Sequence, residues 1–184
     1  MRESQLQNEQ EAVVENLSPA TSARIVELIR DNIKPYGESG NVLASTHRRL
    51  ENLYETYSQD GAHFYVAKDV RNDRCIGGVG LGSLHGLPIS EGFGEIRDLV
   101  LEHAYRGKGI GSHLLGMAID KAMSIGYDVL YLEVTPNMVM AQKLFRRFGF
   151  RPVTLESECK GDMPSLSKRE IECYYLLEIR NRTG

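Results

Sequence analysis

The sequence predicts a three-layer α/β domain in which a mixed, mostly antiparallel sheet is flanked by helices. Three observations predict it. Apolar residues recur at helical spacing in the first third of the chain, and short glycine-rich apolar runs separated by turn residues follow. The second half then alternates strand, helix, strand, helix, strand, an order that places helices on both faces of one sheet. With 184 residues, 41% of them hydrophobic, the chain is long enough to bury one sizeable core. Residues 1–10 read as a flexible tail and residues 11–184 as a single domain.

The elements follow in order. "AVVENL" is a short strand that ends at the Ser18-Pro19 break. In "SPATSARIVELIRDNIKP", Ile25, Leu28, Ile29 and Ile33 share one helical face, with capping residues before them and Pro35 after them. "YGESGNVLA" is a flexible connection, and "STHRRLENLYETYSQ" is a second helix with Leu50, Leu53, Tyr54 and Tyr57 on one face. "AHFYVAKD" and "CIGGVGLGSL" are antiparallel strands joined through "VRNDR", which has hairpin-turn composition, and "GFGEIRDLVLEHAY" is a third strand. A helix runs from about Gly109 to Ile125, ended by Gly126. "DVLYLEV" is the next strand. It leads to a helix with Thr135 as N-cap, Pro136 at its first position and Gly149 just past its end, with an apolar stripe of Met138, Ala141, Leu144, Phe145 and Phe148. "ESECKGDMPSLSKR" is a polar loop long enough to cover a site, and "ECYYLLEI" is the last strand.

Composition excludes several classes of partner. The 22 Lys and Arg residues against 25 Asp and Glu leave a net charge of −3, so no general electrostatic pull toward nucleic acid or an anionic membrane exists. Cys75, Cys159 and Cys173 form no CxxC pair and no Cys/His cluster with metal-ligand spacing, so no metal is expected. An odd number of scattered thiols suits a reducing compartment. The amino terminus lacks an apolar run of signal-peptide length, and no segment approaches a membrane span, so the expected location is cytoplasmic.

The stretch "AYRGKGIGSHLL" places Gly107, Gly109 and Gly111 where a strand turns into a helix. Such a turn presents backbone N–H groups and the positive end of a helix dipole at one point, and glycine lets a ligand approach the main chain. Arg106 and Lys108 add positive charge, which favours a di- or triphosphate. The stretch is neither a P-loop nor a GxGxxG fingerprint, since Ser112 stands where the third glycine would be. Glycines alone fit an ordinary strand-to-helix turn with two solvated cations equally well.

Further residues break that tie. Arg106, Gly109 and Gly111 match Arg/Gln-x-x-Gly-x-Gly/Ala after the strand "EIRDLVLEHAY" and before the helix "SHLLGMAIDKA". Downstream, "VLYLEV" precedes Ala141, Leu144, Phe145, Gly149 and Phe150 in an Ala-x-x-Leu-aromatic-x-x-x-Gly-Phe segment. Over residues 92–153 the chain resembles the GNAT superfamily of acyl-CoA-dependent N-acyltransferases. The resemblance implies the acyl-CoA N-acyltransferase fold with a splayed strand pair, and acetyl-CoA as acyl donor. The pyrophosphate would lie on amides of the turn from about Lys108 through Gly109, Ile110 and Gly111 to Ser112, with Arg106 and Gly107 also among the cofactor-binding residues. The pantetheine arm would run along Leu99, Val100 and Leu101, with Asn137 and Ala141 from the later helix as further contacts.

Acetyl transfer to an amine requires a proton acceptor, a donor to the developing oxyanion and a departing thiolate. Glu95 resembles the glutamate that many family members place early on this strand; the alternative is an ion-paired residue beside Arg97. Asp98 is a second candidate, on the opposite strand face unless the β-bulge common in the family shifts the parity. Glu133 is a third candidate, on the neighbouring strand. The family-like oxyanion donor is a main-chain N–H near Val100. Where many members carry a thiolate-protonating tyrosine this chain has Phe145, which leaves the role vacant or filled by Tyr131, Tyr174 or Tyr175. Met138 stands where many members have a cofactor-contacting asparagine, and Asn137 is its neighbour.

Three further features read structurally: "GGVGLG" as close packing or bulges, "HRR" at 47–49 as an exposed helical turn, and Tyr54 with Tyr57 as core or a pocket wall. The expected activity is acetyl transfer from acetyl-CoA to a small primary amine, such as an amino acid or an amine-bearing antibiotic or toxin, by a monomer or homodimer. The alternatives are a protein amine as acceptor, or a non-catalytic acyl-CoA-binding module.

Overall fold

The computed structural model describes residues 11–34, 48–153 and 173–179. The expected tail, the connection "YGESGNVLA", the start of the second helix and the loop "ESECKGDMPSLSKR" lie outside the described residues. Strands β1 (Ala12–Asn16), β2 (His63–Asp69), β3 (Cys75–Ser83), β4 (Phe93–Leu101), β5 (Val129–Val134), β6 (Arg151–Val153) and β7 (Cys173–Glu178) form one sheet in the order β1-β2-β3-β4-β5-β7-β6. Among the described strands only the β4/β5 pair is parallel, because a helix carries the chain back across the sheet between them.

Helix α1 (Pro19–Ile33) begins with Ser18 as N-cap in a capping box with Thr21 and has Pro19 in its first turn, so local chemistry fixes its start. Helix α2 (Leu53–Tyr57) is short, and a turn at Asn52 separates it from the helical residues 48–51. Helix α3 (Ile110–Ile125) ends at Gly126, whose φ of 105° closes it with bonds to the Ala122 and Met123 carbonyls. Helix α4 (Val139–Arg147) is followed by Gly149 at φ 91°. Among the described residues no helix is long and apolar enough to cross a membrane.

Three expectations change. β4 stops at Leu101, and His103–Tyr105 forms a 3₁₀ turn instead of extending the strand. α4 starts at Val139, not at Pro136: the Thr135 hydroxyl bonds to the Asn137 side chain, the Met138 N–H donates to the Thr135 carbonyl, and Gln142 donates to the Thr135 and Pro136 carbonyls. These bonds spend the capping groups on a turn that precedes the helix. β6 adds a strand to those the sequence predicts, and its Pro152 is tolerated because β6 lies at the edge of the sheet.

The sheet divides the core. Val79, Leu81, Ile96, Leu130, Leu132, Tyr175 and Leu177 pack with Leu114, Leu115 and Ala118 of α3 on one face. Phe64, Val66 and Val100 pack with Ile25, Leu28, Ile29, Leu53 and Tyr57 from α1 and α2 on the other. Two irregularities shape the centre. β4 pairs with β5 only through Phe93, Gly94 and Glu95, so the rest of each strand leaves the ladder between them unfilled. Between the β3/β4 pairs Gly78–Val100 and Gly80–Arg97, Val79 faces both Asp98 and Leu99, a bulge in which Asp98 adopts φ 51°.

Candidate active site

The turn from Gly107 to Ser112 is open main chain. Gly107 and Gly109 have φ of 77° and 85°, and a Cβ built on either would meet no atom within 4 Å. Gly109 is the N-cap of α3, no side chain caps the helix, and no acidic residue lies in its first turn. The amides of Ile110, Gly111 and Ser112 precede the first intrahelical bond, from the His113 N–H to the Gly109 carbonyl, and are therefore available to an external acceptor. These features fit a pyrophosphate. Both cations of the turn have partners: Arg106 donates to the Leu101 carbonyl and to Asn32 of α1. Lys108 lies 2.8 Å from Glu11 and over the Tyr105 ring. Tyr105 in turn donates to buried Asp69, so the turn is anchored from below.

Leu99 and Leu101 pack toward α3, whereas Val100 is buried on the α1 side. Asn137 lies in the exposed turn before α4, bonded to Thr135, and Ala141 is half-buried against the α3-side core. Phe145 is buried, with its ring edge-on to Phe150.

The bulge brings three charged side chains to one face of the sheet. Before it, Glu95 and Arg97 point to the α1 side; after it, the parity has switched, and Asp98 points there too. Asp98 accepts two hydrogen bonds of 2.7 Å from Arg49 and one of 2.6 Å from the Tyr57 hydroxyl. Its side chain is only 4% exposed. Burial works against the Asp98 charge, but Arg49 and the Tyr57 bond outweigh it and hold the carboxyl below its ordinary pKa.

Glu95 differs. Its side chain is 19% exposed, and Arg97 Nε lies 3.3 Å away. Burial pushes its carboxyl above the ordinary value, Arg97 pulls the other way, and Glu133 adds to the rise. On β5, which pairs Tyr131 with Glu95, the Tyr131 hydroxyl donates to Glu133 at 2.8 Å. Burial, and then Glu133, raise the Tyr131 pKa, so the phenol is protonated at neutral pH. Tyr174 stacks on Tyr131. Tyr175 points to the α3 side, where it bonds to Gln142 and Arg146 of α4. Among the described residues no three His, Cys, Asp or Glu side chains gather as a metal site.

The sequence missed Arg49 and Tyr57 as partners of Asp98, and Arg97 as a cleft residue. The signal was the alternating glycines of "GGVGLG". A Cβ on Gly80 would overlap the Tyr57 hydroxyl, and one on Gly82 the Arg97 guanidinium. Period-two glycines on one strand face mark where side chains from other elements lie flat on the sheet.

The model of the acetyltransferase (GNAT) family matches residues 26–150, which include the turn, the bulge and both strands that part between them. The chain belongs to the GNAT acetyltransferase family. This makes it a GNAT-family N-acetyltransferase with the fold expected from the sequence. It is 28% identical over 155 residues, covering 83% of this chain and 89% of the relative, to YjgM of Escherichia coli K12, an uncharacterized N-acetyltransferase. It is 31% identical over 143 residues to the uncharacterized protein ML0378 of Mycobacterium leprae, covering 78% of this chain but 35% of that protein. Among solved structures, an acetyltransferase of the GNAT family from Staphylococcus aureus superposes with a TM-score of 0.72 at 20% identity, covering 91% of this chain and 98% of the other. The structure of yncA from Salmonella typhimurium with its cofactor acetyl-CoA gives 0.68 at 18% identity, covering 95% and 97%.

Proposed function

We propose that this N-acetyltransferase, as a single domain of residues 11–184, transfers the acetyl group of acetyl-CoA to the primary amine of a small molecule. The amine attacks directly in a ternary complex. The observation that carries acetyl-CoA is the Gly107–Ser112 turn, whose uncapped amides and open glycines suit a pyrophosphate. The solved neighbour yncA is described with acetyl-CoA as its cofactor. Bound there, acetyl-CoA supplies an acetyl group activated as a thioester.

The residues divide the remaining work. Glu95 accepts the proton of the substrate ammonium, because its raised pKa brings it toward the working pH while leaving it a carboxylate above that value. Asp98, committed to Arg49 and Tyr57, holds the bulge rather than moving protons. A main-chain N–H near Val100 donates to the developing oxyanion. The Tyr131 proton is given to Glu133, so Tyr131 orients that carboxylate. The coenzyme thiolate leaves unassisted, a thiol of pKa about 8.5 being a fair leaving group.

Two measurements follow. Gly109→Val puts a β-branched residue at φ 85°, a conformation that such residues avoid, at a strain of about 1–3 kcal/mol. Titration calorimetry is expected to show acetyl-CoA affinity at least roughly tenfold weaker, with far-UV circular dichroism retained since no atom lies within 4 Å of the new Cβ. Unchanged affinity would remove the turn from the site. Tyr131→Phe is expected to lower the transfer rate by less than about tenfold, and to leave the ascending limb of the pH profile in place. A loss of about 10²-fold or more, the size of a general-acid contribution, would make Tyr131 the thiolate's proton donor.

A further inference from the structure

Among the described residues, Arg97 is a cleft cation whose bonding is incomplete. Its guanidinium lies against Gly82, the position where any Cβ would overlap it. Nη2 donates to the Ser83 carbonyl at 3.1 Å. Nε sits 3.3 Å from Glu95 Oε2 but makes no hydrogen bond, although the atom is buried. Among the described residues no other hydrogen bond or ion pair reaches this side chain, and the nearby Asp98 carboxylate is taken up by Arg49 and Tyr57. A guanidinium has several N–H donors in a planar fork that matches a carboxylate. Nε is the buried donor without an acceptor, which is costly, and the side chain as a whole is 20% exposed, so the rest of the fork is open to a ligand.

Glu95 and Arg97 form a close but poorly bonded pair of opposite charges, and a molecule carrying both charges can replace each partner for the other. As residues i and i+2 of one strand, Glu95 and Arg97 share a face, and their charged groups stand 3.3 Å apart at the nearest atoms. That separation resembles the spacing of the ammonium nitrogen and a carboxylate oxygen on one α-carbon, so an amino acid laid across the pair meets both groups. We propose that the acceptor is an α-amino acid whose ammonium faces Glu95 and whose carboxylate pairs with Arg97. This rests on the acetyl-transfer reading and narrows its acceptor. An amine embedded in a protein terminus carries no carboxylate at that position and leaves Arg97 unmet. Gly82 belongs to the same device, since the lack of a Cβ there admits the guanidinium.

The test compares the common α-amino acids with their decarboxylated amines, phenylalanine with phenethylamine and leucine with isopentylamine among them, by release of free coenzyme A. The expected result is kcat/KM at least about 100-fold higher for the preferred amino acid than for its amine, as for sites built to bond a substrate group. Arg97→Gln brings that ratio to within about threefold of one, and Arg97→Lys restores part of it. Gly82→Ala, which keeps Arg97 but displaces it, also lowers the ratio. Amines used as well as their parent acids, or an equal loss on both classes in Arg97→Gln, would overturn the proposal. Acetyl-CoA binding by calorimetry separates the two levels. A wild-type protein that binds acetyl-CoA and acetylates amines without regard to carboxylate refutes the amino-acid acceptor alone. One that binds no acetyl-CoA refutes the acetyl-transfer reading, and binding without turnover of either class contradicts the acceptor.

Discussion

Glu95→Gln lowers kcat/KM for the acceptor by about 10²- to 10⁴-fold, the range of a positioned general base, while acetyl-CoA affinity stays within about threefold, since the turn that binds it is untouched. Glutamine keeps the shape and a hydrogen-bonding oxygen but cannot take a proton. In the wild type the rate therefore rises with pH through a pKa above the ordinary glutamate value, because burial and Glu133 disfavour the charge more than Arg97 favours it. In Glu95→Gln that ascending limb disappears. Stability moves the other way. A carboxyl whose folded pKa is raised weakens the fold as pH rises above the unfolded value, and in full above the folded one, so removing the charge does not lower Tm measured at neutral pH. A variant with the wild-type rate and the same limb would exclude Glu95 as the proton acceptor.

Asp98→Ala acts on stability instead. It removes the carboxylate that accepts both bonds from the Arg49 guanidinium, whose side chain is 14% exposed, and leaves the Tyr57 hydroxyl without its acceptor. It also places alanine at φ 51°, where aspartate is tolerated better. Removing one partner of a buried ion pair costs about 3–5 kcal/mol, or roughly 6 to 20 °C in Tm for a domain of this size. Asp98→Asn keeps an acceptor and the tolerance of positive φ, so its loss is smaller. The sign with pH is fixed as well. Asp98 has a depressed folded pKa, so its contribution is complete above the unfolded value of about 3.9 and is lost as pH falls through the folded one. The wild-type advantage over Asp98→Ala in urea unfolding is therefore expected at pH 7 and to shrink below pH about 4. Equal stability of the two proteins at pH 7 would show that the clamp contributes nothing.

Much of this was legible because the deciding signals are local. The capping box at Ser18, the terminating glycines Gly126 and Gly149, and the β-branched and aromatic content of β5 each state their structure within a few residues. The turn at Gly107–Ser112 was legible for the same reason. The start of α4 was not, because Thr135 and Gln142 had competing partners that only the fold brings together. The Asp98 clamp joins residues 41 and 49 positions apart in the chain, and no periodicity encodes such a contact. The bulge was conceivable but not readable, since two residues facing one is a property of the pair of strands. The glycines at 78, 80 and 82 read as close packing or bulges, and both occur: Phe64, Tyr57 and Arg97 lie against them, and the bulge falls between Gly78 and Gly80.

The central claim is that an amine is acetylated at the expense of acetyl-CoA bound on the glycine turn. Release of free coenzyme A from acetyl-CoA, followed with and without pooled primary amines and amino acids, tests it most directly. The account predicts release that depends on the amine pool, yields an N-acetylated product and falls away in both Glu95→Gln and Gly109→Val. Release indifferent to the pool, or unchanged in Gly109→Val, would contradict it.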